Sequence, residues 1–200
     1  MLKTVIASGN RGKIREFEDI LQEQLTPYYE LIEEFDIEES GDSFAKNALI
    51  KAREIYNKLG PEYIVLADDS GISIDALNGK PGIFSARYAG DKASDKENLQ
   101  KVVDELKSLN LTSSKAHYSA AIAIVSKWGE YVVHGWMYGD VVTTPRGDRG
   151  FGYDPIFIPE GFNKTLGELD SSVKKGISHR FKALNLAKPI VDMLRRYGEK

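Results

Sequence analysis

Hydrophobic positions open the chain with a short run at residues 4–7, which predicts a strand, and break off into the polar stretch SGNRGK at 8–13. Beyond it Ile14, Phe17, Leu21 and Leu25 recur three or four positions apart, the stripe of an amphipathic helix. Residues 28–32 predict a second strand. An acidic stretch over 33–42 follows, and SGDS at 40–43 has the composition of a loop leading into a helix start. Phe44, Ala48, Leu49, Ala52, Ile55 and Leu59 return at helical spacing until Gly60-Pro61 ends the pattern.

Residues 63–67 form an apolar run suited to a buried strand, which stops at DDSG, 68–71, before a second short strand over 72–75. NGKPG at 78–82 is a turn. Ser94 and Glu97 have the spacing of a capping box, predicting a helix to about Ser108. Two β-rich runs, 117–126 and 130–142, then flank Trp128-Gly129 and predict a long antiparallel hairpin. Glycines and aromatics at 147–157 predict a loop leading into another strand. A last helix is predicted over about 178–196, kinked or broken at Pro189. Strands mixed with helices, plus one long hairpin, give an α/β or α+β fold with a mixed sheet. Two hundred residues suit one domain, 1–200, of two closely fused lobes, the second including the hairpin at about 115–142.

Composition narrows the function more than the fold. At 42% hydrophobic and 28% charged residues it is that of an ordinary soluble protein. A net charge of −3, with both signs interspersed, gives no basic face for a duplex and argues against nucleic acid as a partner. A nucleotide-sized ligand needs only a local basic cluster. The absence of cysteine excludes disulfides, thiol chemistry and Cys-ligated zinc. MLKTVIAS predicts a strand and a turn rather than a signal peptide, and no window approaches the roughly 20 apolar residues of a membrane span. The expectation is a cytoplasmic protein with no membrane partner.

Candidate chemistry sits where these elements break. SGNRGK joins a strand to a helix, where unpaired amides and the helix dipole favour an anion and Lys13 adds a full charge. Gly and Asn also occupy such turns for their backbone freedom alone. A Walker A loop is excluded, because Ala7 stands where its first Gly belongs and Ile14 where its Ser or Thr belongs. Asp68 and Asp69, at the predicted end of a buried strand, suit either a magnesium ion and acid/base work or a solvated turn. Adjacent strand residues point to opposite faces, so one of the two enters a given site. Glu38 and Glu39 offer a second metal ligand or belong to a solvated acidic loop.

In GFGYD, 150–154, Phe151 suits stacking on a ligand ring and the glycines allow backbone approach; the same letters suit a bulged strand with Phe151 and Tyr153 in the core. KKGISHR, 174–180, sets Lys174, His179 and Arg180 beside a helix start, as an anion or keto-base contact or as a basic surface cap. His117 and His134 lie in apolar strands, as packed core or surface imidazoles rather than ligands. A phosphate cradle, a metal carboxylate, a stacking aromatic and a basic tail together describe a nucleoside triphosphate site.

The order of SGNRGKIREF, SFAKNALIKAR, ADDSGISIDALNGKPGIFSARYAG, GFGYDPIF and SHR resembles that of the inosine/xanthosine triphosphate pyrophosphatases, the Ham1-like family, over residues 4–187. The resemblance implies an elongated, two-lobed α/β fold on a mixed sheet, with the nucleotide in a cleft between the lobes. It implies a Mg2+-dependent homodimer that converts ITP, dITP and XTP to the monophosphate and pyrophosphate. Carried onto this chain, Ser8, Gly9, Asn10, Arg11, Gly12 and Lys13 form the triphosphate loop, and Lys51 reaches the phosphates. Asp69 is the catalytic carboxylate and a metal ligand, Glu38 the second metal ligand, and Ser70 a substrate contact. Phe151, Gly152, Tyr153 and Asp154 line the nucleoside pocket, and Lys174, His179 and Arg180 contact the nucleotide. A related enzyme acting on modified pyrimidines, or a regulatory nucleotide-binding module without turnover, are the readings that compete.

Overall fold

Local sequence sets each element's ends. The computed structural model describes residues 2–198. Strand β1 (Lys3–Ile6) leads into α1 (Arg11–Leu21), whose start is fixed by Asn10: its side-chain oxygen accepts from the amides of Gly12 and Lys13. β2 (Thr26–Pro27) pairs with β1 and goes no further, because Pro27 has no amide to donate to the ladder. The strand predicted over 28–32 is therefore absent, and Tyr28–Glu30 is a single 3-10 turn instead. After the acidic loop, Ser43 caps α2 (Phe44–Leu59) by accepting from the Lys46 amide, and Gly60, at a φ of 94°, ends it as the sequence predicts.

The second correction concerns DDSG. Rather than two short strands with a break, residues 63–74 form one strand, β3 (Tyr63–Ile74), which runs through Asp68, Asp69, Ser70 and Gly71. Gly71 is there for space rather than for a turn. A Cβ on it would lie 2.4 Å from the Ser85 hydroxyl and 2.5 Å from the Gly82 carbonyl. That hydroxyl is pinned, donating to the Gly82 carbonyl at 2.6 Å and accepting from the Ile72 amide at 2.9 Å. Gly71→Ala is expected to cost about 1–3 kcal/mol by overpacking. A lowered urea midpoint at unchanged m value checks it; an unchanged midpoint would mean that the 3-10 segment Gly82–Arg87 yields freely.

The remaining elements are α3 (Asp95–Ser108), opened by the complete Ser94/Glu97 capping box, the hairpin of β4 (Ser113–Ser126) and β5 (Gly129–Val142), β6 (Phe157–Pro159), α4 (Ser171–Ile177) and α5 (His179–Tyr197). The hairpin is as predicted, though β4 begins at Ser113. The last helix runs through Pro189 without a break, held on both sides of it by buried Ala183, Leu184, Ala187, Val191 and Leu194. The six strands form one mixed sheet in the order β2-β1-β3-β4-β5-β6, with β1 parallel to β2 and β3, and β5 antiparallel to β6.

The chain divides into two compact units. The first, residues 1–69, 120–135 and 180–200, is three-layered. Side chains alternate across a strand, so Ile6, Ile64, Leu66, Ala120, Ile122 and Ile124 meet α1 and α5 on one face. On the other, Val5, Ala7, Val65, Ala67, Ala121 and Ala123 meet Ala48, Ala52 and Ile55 of α2. The second unit, residues 70–119 and 136–179, packs Leu99, Val102, Val103 and Leu106 of α3 with Ile72, Ile74, Tyr118, Met137, Val141 and Phe157. Among the described residues no helix is long and apolar enough to cross a membrane.

Candidate active site

In the first unit the strand parity that builds the core also sorts the two aspartates. Ile64 and Leu66 face α1 and α5, and Asp68, two residues on, meets cations from those helices. Lys13 Nζ lies 3.0 Å from its Oδ1, and Arg180 Nε 3.2 Å from its Oδ2. Val65 and Ala67 face α2, and Asp69 meets Lys51 of α2 at 3.4 Å. Burial alone would raise the Asp68 carboxyl, but Lys13, Arg180 and Lys51 outweigh it and hold Asp68 far below the usual carboxylate range. Asp69 goes the other way. Burial pushes its carboxyl up, the Glu39 and Asp68 charges add to that, and Lys51 opposes without prevailing.

Lys51 joins Asp69 to the acidic loop, with Nζ 3.1 Å from Glu39 Oε1. Burial works against its charge, but Asp69, Asp68 and Glu39 together raise its pKa. Glu38, the predicted metal ligand, is exposed, whereas its neighbour Glu39 is half-buried and reaches this cluster. The structure thus brings Glu39 rather than Glu38 to Asp69. Asn47, fully buried on α2, accepts from the Gly41 amide at 2.8 Å. Neither Asn47 Nδ2 nor Asp69 Oδ2 completes a hydrogen bond among the described residues, though the Asn47 amide lies close enough to favour the ionised form of Asp69.

A divalent cation suits this donor set. Among the described residues no three His, Asp or Glu side chains converge on a metal position. Asp69 nevertheless has a buried carboxylate oxygen without a hydrogen-bond partner among the described residues, and Lys51 bridges its other oxygen to the Glu39 carboxylate. One or two carboxylates completed by substrate phosphates and water is how Mg2+ is commonly held.

The predicted phosphate loop is partly spoken for. Ser8 Oγ accepts from the Asn10 amide at 3.2 Å, and the Gly12 and Lys13 amides donate to Asn10 Oδ1 at 2.8 and 3.2 Å. What the loop presents outward is exposed Gly9, Asn10, Arg11 and Gly12, with Lys13 at its foot. Arg180, predicted to touch the nucleotide, is only 4% exposed. It pairs with Asp68 and, at 2.5 Å, with Glu16. Burial disfavours its charge, but these two carboxylates outweigh that and raise its pKa.

In the second unit GFGYD resolves the two readings of its aromatics by splitting them. Tyr153 is core, donating its hydroxyl to the Ser85 carbonyl at 2.7 Å, while Phe151 is 58% exposed. Asp154 is buried at the centre of the loop, accepting from the Phe151 amide at 3.0 Å and from Lys174. Gly150 leaves no room for a side chain there, since a Cβ would lie 2.0 Å from Asp154 Oδ2. The Gly152 amide donates to Asp95 at 2.9 Å. Lys174 Nζ lies 4.9 Å from the centre of the exposed Phe151 ring, and His179 stacks on Tyr118 at 4.8 Å. Ser70 is half-buried on β3.

Sequence reasoning missed Asn47, Glu16, Asp95 and Tyr118, and passed over the pairing of Asp68. Asn47 had a signal: an amide one helical turn before Lys51, between the apolar positions Phe44 and Ala48 of the buried stripe. The others had none, because their partners are remote in sequence.

Fold and cluster define a class: mixed α/β proteins with a buried carboxylate–lysine centre suited to an anionic ligand. Within that class the chain belongs to the Ham1 family, which matches residues 4–190. It is 62% identical over 199 residues to the dITP/XTP pyrophosphatase of a Sulfurovum species, covering 97% of this chain and 95% of that one. It is 56% identical to the dITP/XTP pyrophosphatase of Sulfurimonas denitrificans, over 96% of this chain and all of the other. Among solved structures, a HAM1 protein from Coxiella burnetii matches with a TM-score of 0.88 at 39% identity, covering 96% of this chain and 100% of that one. The Staphylococcus aureus Ham1 protein matches with a TM-score of 0.86 at 38% identity, covering 99% and 100%.

Proposed function

We propose that this protein hydrolyses the deaminated purine nucleotides ITP, dITP and XTP to the monophosphate and pyrophosphate, clearing them from the nucleotide pool. Family membership and the names of relatives up to 62% identical support the reaction. The observation that carries the mechanism is Asp69, a buried carboxylate with one oxygen unpartnered among the described residues and a lysine against the other.

Asp69 orients a water and takes its proton as the oxygen attacks the α-phosphorus. The bond from that phosphorus to the bridging oxygen breaks, and pyrophosphate leaves in one piece. A triphosphate carries about four negative charges, which repel a nucleophile until cations neutralise them. Lys51 and Lys13 supply two of these and also hold the phosphates in position. Lys51 must turn from Glu39 and Asp69 to do so. Asp69 and Glu39 would hold Mg2+, which when bound supplies charge neutralisation and a more acidic water. The family resemblance supports Phe151, Lys174 and His179 as contacts to the base. The family resemblance supports two further assignments, a homodimer and a cytoplasmic location.

The test is product release from purified protein across ITP, XTP, dITP, ATP, GTP and dTTP, with and without Mg2+, assaying pyrophosphate and orthophosphate separately. Mg2+-dependent pyrophosphate from ITP, dITP and XTP, with ATP and GTP nearly inert, is expected. A buried donor left facing adenine's amino group can discriminate by about 10⁴-fold. Orthophosphate as the first product moves the cleavage site, a preference for dTTP moves the substrate class, and binding without turnover makes the protein a nucleotide sensor.

A further inference from the structure

Two polar atoms at the heart of the first unit are buried and complete no hydrogen bond among the described residues: Asn47 Nδ2 and Asp69 Oδ2. Asn47 is fully buried on α2, where a side-chain amide is costly unless it serves something. Its oxygen already does. Oδ1 accepts from the Gly41 amide at 2.8 Å and so fastens the end of the acidic loop to the helix. The loop is shaped for that contact, since a Cβ on Gly41 would lie 2.6 Å from the same Oδ1. Glu39, two residues before Gly41, reaches Lys51, which lies one helical turn beyond Asn47 and also meets Asp69.

We propose that Asn47 is a positioning residue: its amide oxygen holds the loop that carries Glu39, its amide nitrogen is kept in reserve for the Asp69 carboxylate when the metal binds, and together they set the spacing of the two carboxylates that receive the metal. The proposal rests on the reading of Glu39 and Asp69 as metal ligands given above. Asn47 touches neither substrate nor metal and acts through the two groups it orients. Lys51, between Glu39 and Asp69 in this structure, is the cation that the same spacing accommodates before the metal arrives. Groups that orient metal ligands commonly contribute 10- to 100-fold in metal affinity or activity, which sets the size of effect to look for, about that range.

The experiment measures Mn2+ binding to the substrate-free protein by EPR, followed by steady-state kinetics with ITP at saturating metal. Glu39→Gln is the control for the underlying reading. If that variant binds Mn2+ as the wild type does, the metal assignment fails whatever Asn47 does. With Glu39→Gln impaired, Asn47→Ala and Gly41→Ala are each expected to weaken Mn2+ binding by about 10- to 100-fold. Both should lower kcat in the same range and leave KM for ITP near its wild-type value. Gly41→Ala attacks the contact from a partly exposed loop, so it decides the matter even if Asn47→Ala does not fold. Variants that lose thermal stability yet keep wild-type Mn2+ affinity and kcat would show Asn47 to be a packing residue and overturn the proposal.

Discussion

Asp69→Asn is expected to lower kcat by about 10²- to 10⁴-fold, the range for losing a general base, with nucleotide binding largely retained. The substitution keeps the shape of the side chain and removes the proton acceptor. Its effect on stability should run the other way. Burial and the Glu39 and Asp68 charges raise the Asp69 carboxyl in the folded protein. A carboxyl raised on folding destabilises the native state at every pH above its folded value, and the neutral amide escapes that penalty. Asp69→Asn should therefore unfold at the same temperature as the wild type or above it, while turning over poorly. Such an opposition is what a site held for chemistry rather than for stability produces. Kinetics with ITP and a thermal melt on the same preparation check both halves. Near-normal turnover would remove Asp69 from the role of base, and a large loss of stability would make it a structural residue.

The same aspartate shows where sequence reasoning reached and where it stopped. Periodicity placed α1, α2, α3 and the hairpin because each buries a regular stripe or alternating face, and a regular face repeats in the letters. It failed at β3 because DDSG has the composition of a turn. What keeps that stretch extended is the fit of Gly71 against Ser85 and Gly82, more than ten residues away. It failed at residues 28–32 because the missing proline amide limits pairing more than the aromatics favour it. In the site, the opposed directions of Asp68 and Asp69 were legible, since strand alternation requires them. Glu38 and Glu39 were not separable, because an irregular loop has no period to say which of two adjacent glutamates faces inward. Arg180 read as an anion contact or a basic surface cap because it stands beside a helix start with Lys174 and His179, and its pairing with Asp68 and Glu16, both remote in sequence, was not legible.

That inward pairing yields the other large effect. Arg180→Met leaves the Asp68 carboxylate buried without its guanidinium, though Lys13 and Lys51 still act on it, and Glu16 without its partner. Breaking a buried pair from one side costs about 3–5 kcal/mol, because the charge left behind is still desolvated. Urea unfolding should show that loss at neutral pH, with the m value unchanged. Its pH dependence follows from Asp68. The folded protein holds that carboxyl far below its unfolded value, so its contribution is complete above about pH 4, where the unfolded group ionises, and fades as the pH falls. The gap between wild type and Arg180→Met should therefore be widest at neutral pH and narrow on acidification below about 4. Adding Asp68→Asn to Arg180→Met removes the stranded charge and should recover much of the lost stability, the coupling expected of residues in direct contact. A variant as stable as the wild type but unable to bind ITP would give Arg180 back the nucleotide contact that its place in the sequence suggests. A destabilised variant whose residual folded fraction binds ITP normally assigns Arg180 to holding Asp68, and through it Lys13, in place beside the phosphate loop.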